Sequence, residues 1–410
     1  MRQAQQALFQ AKMLGKCRFQ KYDVDSEKDA RVLTDNLEKI SKALEAGEFV
    51  LYYQPKVHMK TGVVFGVEAL LRWQKSTGEL IPPGDFLPAL YNHPLDVELG
   101  DWVIRTALAQ MRLWKQQGLE VQVSVNVSSL QLFDDAFVEK LSRDLKYFSD
   151  ISPSALQLEV LESSMLNDLE AVSRIMRRSR QLGVSFALDD FGTGYSSLAY
   201  LKHLPASVLK IDQSFVIEMM ESTDDMSIIS GIIGMANAFG MQVIAEGVES
   251  VEQGNLLLRL GCEQGQGFVI ARPMPAHELP DWVQHWKAAP SWIGQQPVEA
   301  KNLPLLYAEA ELRSWIMELE QWLCGEGEAV PILDHHQCKV GIWIDSEAQS
   351  RFELHPKFAH LVSLHHDLHS LGQSAIALQV KGESEAALMV LSQIRQQRDL
   401  FLLELKALID

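Results

Sequence analysis

Disulfides are the first thing this sequence cannot rely on: its four cysteines, Cys17, Cys262, Cys324 and Cys338, are scattered over 410 residues and exclude a disulfide framework. Long apolar runs are missing too. No stretch reaches the ~20 residues of a membrane-spanning helix, and Met1 opens a polar helical pattern rather than a signal peptide. Basic residues are in deficit, 37 Lys and Arg against 54 Asp and Glu. The resulting net charge of −17 argues against a broad surface for nucleic-acid polymers or anionic membranes. These absences predict a cytoplasmic chain with neither a membrane nor a nucleic-acid polymer as partner. What is present is an ordinary globular composition, 47% apolar, enough for buried cores in about two to three domains.

The hydrophobic pattern divides the chain into five stretches, 1–24, 25–48, 49–288, 289–302 and 303–410. The first reads as a helix over 2–14, closed by Gly15, and a short strand over 17–22. A charged amphipathic helix carrying Leu33, Leu37, Ile40 and Leu44 then reads as a linker. In 49–288, strand-like runs at 49–57, 63–73, 121–127, 156–161, 184–188, 208–211, 243–245 and 265–270 alternate with helical segments such as 97–118, 169–183, 227–240 and 251–260. About eight such strands predict an α/β fold, a (β/α)8 TIM barrel whose first two strands form a hairpin through Lys60-Thr61-Gly62; an open doubly wound sheet is the alternative. A Pro/Gly/Gln patch at 289–297 reads as a second linker. Helical stretches at 306–323, 334–343, 356–371 and 383–408 then predict a four-helix bundle.

In a barrel, chemistry collects where strands end, and here the polar residues do so. The run VSFALDD, residues 184–190, is a buried strand ending on Asp189 and Asp190, with Gly192 and Gly194 free to bend the chain there. The plainer reading is a solvated Asp-Asp turn before a helix capped by Ser196. Glu68, Asn126, Glu159, Lys210, Asp212 and Glu246 occupy comparable positions on other strands. Hard oxygen donors in such a set suit Mg²⁺ or Mn²⁺, and two ions about 3.5–4 Å apart would polarise a phosphodiester and activate water. A lysine among the carboxylates could hold or deprotonate that water. In the C-terminal stretch, His365 and His369 share a helix face, and Cys338 on a neighbouring helix could complete a Zn²⁺ site; a His-rich surface with a buried cysteine is the plainer alternative.

The motifs then point to families. Tyr53-Gln54-Pro55-Lys56, Glu68-Ala69-Leu70-Leu71-Arg72-Trp73, NVSSLQL, LEVLESS, ALDDFGTGYSSL, LKIDQSFV, VIAEGVES and GQGFVIARPMP, spread over 49–288, resemble an EAL domain, the phosphodiesterase that opens cyclic di-GMP. The resemblance implies a modified TIM barrel with an antiparallel first strand, hydrolysing cyclic di-GMP to linear pGpG with two Mg²⁺ or Mn²⁺ per active site. It implies Glu68, Asn126, Glu159 and Asp189 as ligands of one ion, and Asp189, Asp190 and Glu246 as ligands of the other. Lys210 would orient or deprotonate water, Gln266 would contact nucleophile or phosphate, and Gln54, Arg72 and Asp212 would bind substrate. Glu162 and Glu249 would brace the loop from Asp190 to Ser197. A silent receptor for cyclic di-GMP is the alternative, although every matched position keeps a competent side chain. The sequence departs from the family at Tyr91-Asn92-His93-Pro94, where an acidic turn is usual, and an effect on helix entry or dimer contact is expected there.

Residues 1–24 resemble the last helix and strand of a GGDEF domain, a match too short to imply cyclase activity. Residues 303–410, with LDHHQCKVGIW and HPKFAHLVSLHHDLH, resemble the CZB zinc-binding bundle. That resemblance implies Cys338, His365 and His369 as zinc ligands and a sensor that tunes the phosphodiesterase. The family's fourth ligand, a histidine on the first helix, is missing; Glu309, Glu311, a histidine of the His335/His336 pair or water must replace it. Both resemblances imply a homodimer.

Overall fold

The structure, a computed structural model, describes residues 24–165, 168–193, 201, 204–327 and 329–408. The expected helix at 2–14, strand at 17–22 and Ser196 cap, and residues 194–197 of the loop from Asp190 to Ser197, lie outside the described residues. Strand β1 (Phe49–His58) pairs antiparallel with β2 (Val63–Gln74), in the register Gln54 opposite Glu68. The hairpin turns at Gly62, whose φ of 73° suits glycine and whose N–H donates to the His58 carbonyl at 2.8 Å. A short β3 (Leu80–Ile81) borders β2. Parallel strands follow: β4 (Gln122–Asn126), β5 (Leu156–Leu161), β6 (Ser185–Phe191), β7 (Val208–Ile211), β8 (Gln242–Ala245) and β9 (Gln264–Gly265). Because β1 bonds both β2 and β9, the sheet closes on itself, and a small β10 (Met274–Pro275) also pairs with β1. The doubly wound alternative is thereby ruled out.

The last barrel strand is shorter than the expected 265–270. After Gly265 the chain folds under Val248, and a Cβ on Gly267 would sit 2.2 Å from Val248 backbone N and O, so the segment turns instead of extending.

The parallel strands are buried on both faces, which their β-branched composition anticipates. Val123, Val125, Leu156, Leu158, Val160, Leu209 and Ile211 form one core with the surrounding helices α2 (Pro94–Gln116), α3 (Phe137–Tyr147), α4 (Leu169–Gln181), α5 (Thr223–Phe239) and α6 (Val251–Leu260). Ahead of these, α1 (Val24–Ala46) is no free spacer: Ile40 and Ala43 pack with Phe49, Phe86, Leu90 and Leu99 in a satellite core. The unusual Asn92-His93-Pro94 turn acts locally. Asn92 takes a left-handed φ of 57°, and His93 Nδ1 caps α2 by accepting from Leu95 N at 3.2 Å.

The stretch after the barrel is tethered by Trp292, only 1% exposed, whose indole lies against Gly254 and donates to the Val251 carbonyl at 2.9 Å. Beyond it, α7 (Leu303–Cys324), α8 (Lys339–Trp343), α9 (Phe358–Val380) and α10 (Ser384–Lys406) enclose a second core around Leu312, Leu319, Leu361, Leu368, Ile394 and Phe401. Helix α8 starts at Cys338, not at 334, because Cys338 is its N-cap; the helix then runs through a π-turn, Ile344–Ala348, to Phe352. Among the described residues no helix is long and apolar enough to cross a membrane.

Candidate active site and a second side-chain cluster

Alternation along each strand aims every second side chain inward, so closing the barrel brings one polar residue per strand to the same end. Gln54, Glu68, Asn126, Glu159, Asp189 and Lys210 come from β1, β2, β4, β5, β6 and β7, while Glu246 and Gln266 directly follow β8 and β9. Lys210 is the hub. Fully buried, its ammonium lies 2.5 Å from Glu159 and from Glu246, 2.9 Å from Asp189 and 3.4 Å from Glu68. Burial opposes that charge, yet the four carboxylates outweigh it and hold the amine well above its ordinary range. Lys210 Nζ donates to Glu159 and Glu68 in this arrangement, a geometry that suits orienting water.

Around it the hydrogen bonds interlock. Asn126 Nδ2 donates to Glu68 Oε1 at 2.8 Å, Gln266 Nε2 donates to Glu68 Oε2 at 2.7 Å and to Gln54 Oε1 at 2.9 Å, and Gln54 Nε2 donates to the Ala271 carbonyl. Burial pushes Glu68 and Glu246 above the usual carboxylate range. Burial would raise Glu159 as well, but Lys210 and Lys56 beside it pull it down to about 2. Asp190 is half-buried in a left-handed conformation, φ 53°; desolvation first, then the Asp189 and Asp212 charges, raise it to about 7. Asp212 itself caps the helix Gln213–Glu218, accepting from Ser214 N at 2.9 Å.

Five carboxylates thus share two lysines. They form two groups, Glu68 with Glu159 and Asp189, and Asp189 with Asp190 and Glu246, each with donor oxygens within 4.8 Å of one another. Gln266 Oε1 is buried without a partner beside them. A surplus of buried negative charge and an orphaned acceptor are what a divalent cation with oxygen ligands would relieve, so the residues fit such ions.

Arg72 shares the strand face of Glu68, and its guanidinium lies 5.9 Å above the Tyr52 ring while donating to the Leu71 carbonyl. Glu162 is buried and its Oε2 accepts from Gly192 N at 2.8 Å, fixing the bend after Asp190. Glu249 is exposed; its backbone N–H donates to Gln253 Oε1 at 2.8 Å, and of the loop from Asp190 to Ser197 that it was expected to brace, residues 194–197 lie outside the described residues. The sequence reading missed Lys56. Wholly buried beneath Glu159, it reaches Glu159 Oε1 at 3.3 Å, Gln157 Oε1 at 3.3 Å and the Ser124 hydroxyl. Its place two residues from Gln54 on a strand puts it on the same face, but its burial depends on the register that sets Gly66 opposite, where a Cβ would lie 3.4 Å from the Lys56 stem.

The EAL domain pattern matches residues 37–273 and the chemoreceptor zinc-binding domain pattern, CZB, matches 313–376. The chain belongs to the EAL domain family. The EAL region is similar to the Pseudomonas aeruginosa bifunctional diguanylate cyclase/cyclic di-GMP phosphodiesterase MucR, 41% identical over 277 residues that are 67% of this chain and 40% of that protein. It is also similar to the Escherichia coli cyclic di-GMP phosphodiesterase PdeR, 37% identical over 60% of this chain and 37% of that protein. The chain thus spans about two-fifths of the length of these relatives. Among solved structures, the PaMucR phosphodiesterase in complex with c-di-GMP aligns with TM-score 0.58 and 44% identity, over 60% of this chain and 99% of that one. The EAL domain of Mycobacterium smegmatis DcpA aligns with TM-score 0.50 and 36% identity, over 59% and 99%.

Within the EAL domain, the Glu162 bond to Gly192 gives a direct expectation. Glu162→Ala should weaken cation binding at the Asp190 and Glu246 group by about 10–100-fold, the usual effect of losing a residue that orients a ligand, with little change at Glu68 and Glu159. Calorimetric titration with Mn²⁺ would separate the two groups, and an equal loss at both would contradict the bracing role.

In the CZB region, Cys338 Sγ lies 3.2 Å from His365 Nε2, and Cys338, His365 and His369 bring their donor atoms within 4.8 Å. His369 Nδ1 meets the Leu333 carbonyl at 3.2 Å, which leaves Nε2 as the free donor. Burial keeps both imidazoles neutral, lowering His365 to about 3 and His369 to about 4, and raises the Cys338 thiol. Neutral imidazoles and a cysteine that gives up its proton on binding are a fitting Zn²⁺ donor set. Gly341 makes the approach possible, because a Cβ there would collide with the His335 carbonyl.

Proposed function

We propose that the barrel is a cyclic di-GMP phosphodiesterase yielding linear pGpG, with two Mg²⁺ or Mn²⁺ at its mouth. The observation that carries this reading is the pair of carboxylate groups sharing Asp189 around a buried lysine. Glu68, Asn126, Glu159 and Asp189 would hold one cation, and Asp189, Asp190 and Glu246 the other. When bound, such ions polarise a phosphodiester and acidify water. The chain's own residues do the rest. Lys210, held charged, donates to and orients the attacking oxygen; Gln266, hydrogen-bonded to Glu68 and Gln54, is positioned against the nucleophile or phosphate. Gln54 and Arg72 bind the dinucleotide, Arg72 through its planar fork. Asp212, beside Asp190, lies near enough to line the same nucleotide. Forming pGpG requires a P–O bond to water and breakage of P–O3′, the departing oxygen taking a proton.

Incubation with cyclic di-GMP and Mg²⁺ or Mn²⁺ should give pGpG as sole product; EDTA should abolish turnover and added Mn²⁺ restore it, by chromatography. Tight binding without product would establish the silent receptor instead. We further propose that 303–410 is a bundle binding Zn²⁺ at Cys338, His365 and His369 and tuning the barrel at 49–288, with 25–48 and 289–302 as packed connections. Residues 1–24 we read as the end of a GGDEF domain on wording alone, and a homodimer on the resemblance alone. Turnover unchanged on stripping bundle zinc, with Mg²⁺ restored, would remove the tuning role.

A further inference from the structure

Between the barrel and the bundle lies a cavity of about 260 Å³, with Cys338, His365 and His369 on one side and the start of α5 at Thr223 on another. Glu311, on α7, lines the same cavity and is held across it. Its carboxylate meets Lys339 Nζ at 2.8 Å and accepts from the Thr223 hydroxyl, which Lys339 also reaches at 3.3 Å. This three-residue clasp links bundle to barrel next to the cysteine that precedes Lys339. On the barrel side it holds α5, separated from β7, the strand that carries Lys210, only by the short helix Gln213–Glu218.

We infer that Glu311 is the fourth zinc ligand and that it reaches the metal by leaving Lys339 and Thr223, so that zinc binding opens the clasp between bundle and barrel. The inference rests on the reading of Cys338, His365 and His369 as a zinc site. Glu309 cannot serve, because it faces another cavity, paired with Arg259 at 3.3 Å and Arg313 at 3.2 Å. His335 is the competitor: its ring centroid is 6.3 Å from His365 and 6.4 Å from His369, but it is packed against His336 and His366 and does not line the cavity. Position favours the carboxylate, since Glu311 lines the cavity with Cys338, His365 and His369 and His335 does not. On binding, the Cys338 proton passes to solvent and the Lys339 ammonium is left to water.

The test uses the full chain with Mg²⁺ saturating the barrel and a chromophoric chelator competing for zinc. Cys338→Ser should remove one zinc per chain; if it does not, the zinc site itself is wrong. Given that loss, Glu311→Ala should weaken the same zinc by about 10–100-fold and alter the visible bands of the Co²⁺-loaded protein, with His335→Ala near wild type. Lys339→Met should tighten zinc in the wild-type background but not beside Glu311→Gln, because it acts by freeing Glu311. Zinc should also speed amide exchange at 223–227 in wild type and not in Glu311→Gln. Unchanged affinity and Co²⁺ spectrum in a folded Glu311→Ala variant, or a loss that follows His335→Ala instead, would overturn the assignment.

Discussion

Glu68→Ala is expected to reduce pGpG formation by about 10³-fold or more at saturating cyclic di-GMP, since a cation's charge stabilisation in phosphoryl chemistry amounts to several kcal/mol and each ~1.4 kcal/mol is tenfold. Glu68 accepts from Asn126 and Gln266 and pairs with Lys210, so one deletion unseats three neighbours as well as a ligand. The loss should fall on kcat, with binding of cyclic di-GMP in Ca²⁺ far less affected. Product analysis and calorimetry with the same protein decide this. Retention of a tenth of wild-type turnover would show that Glu68 ligates nothing the reaction needs.

Replacing Lys210 by Met should have a second kind of effect, on the fold as much as on the reaction. The four carboxylates now gathered round one buried ammonium would be left facing each other, with only Lys56 beside Glu159. Breaking a buried ion pair by removing one partner costs about 3–5 kcal/mol, and the cation-free variant should melt correspondingly earlier. Millimolar Mg²⁺ or Mn²⁺ should return most of that stability, because the ions take over the neutralising role, but should not return turnover, because the donor that orients the nucleophile is gone. Thermal melts with and without Mn²⁺, alongside the pGpG assay, separate the two. If cation restored activity along with stability, Lys210 would be reduced to a counter-ion.

The clustered acids were legible because three one-dimensional signals coincide: β-branched runs mark buried parallel strands, polar residues sit at the strand ends, and the motif wording repeats that spacing over most of the barrel. Glu68, Glu159, Asp189 and Lys210 could be named from this alone. Lys56 could not, because a lysine in a strand is usually a solvated edge residue. Only the opposite register of β2, with Gly66 leaving space and Glu159 one strand beyond β4, shows why it is wholly buried. The surroundings of Lys210 were likewise out of reach, since how many carboxylates come within about 3.5 Å of one nitrogen depends on strands far apart in the chain.

By itself the sequence determined the alternation of strands and helices along the chain and the oxygen-rich chemistry at the strand ends, because these follow from side-chain period and residue type, which are local. Tertiary structure alone decided that β1 closes the sheet, that α1 packs onto the barrel, that Lys210 sits among four carboxylates and that Glu311 rather than Glu309 lines the cavity with Cys338. Each of those depends on distances between residues far apart in the chain. Such distances are set by strand register and helix packing, which no local pattern encodes.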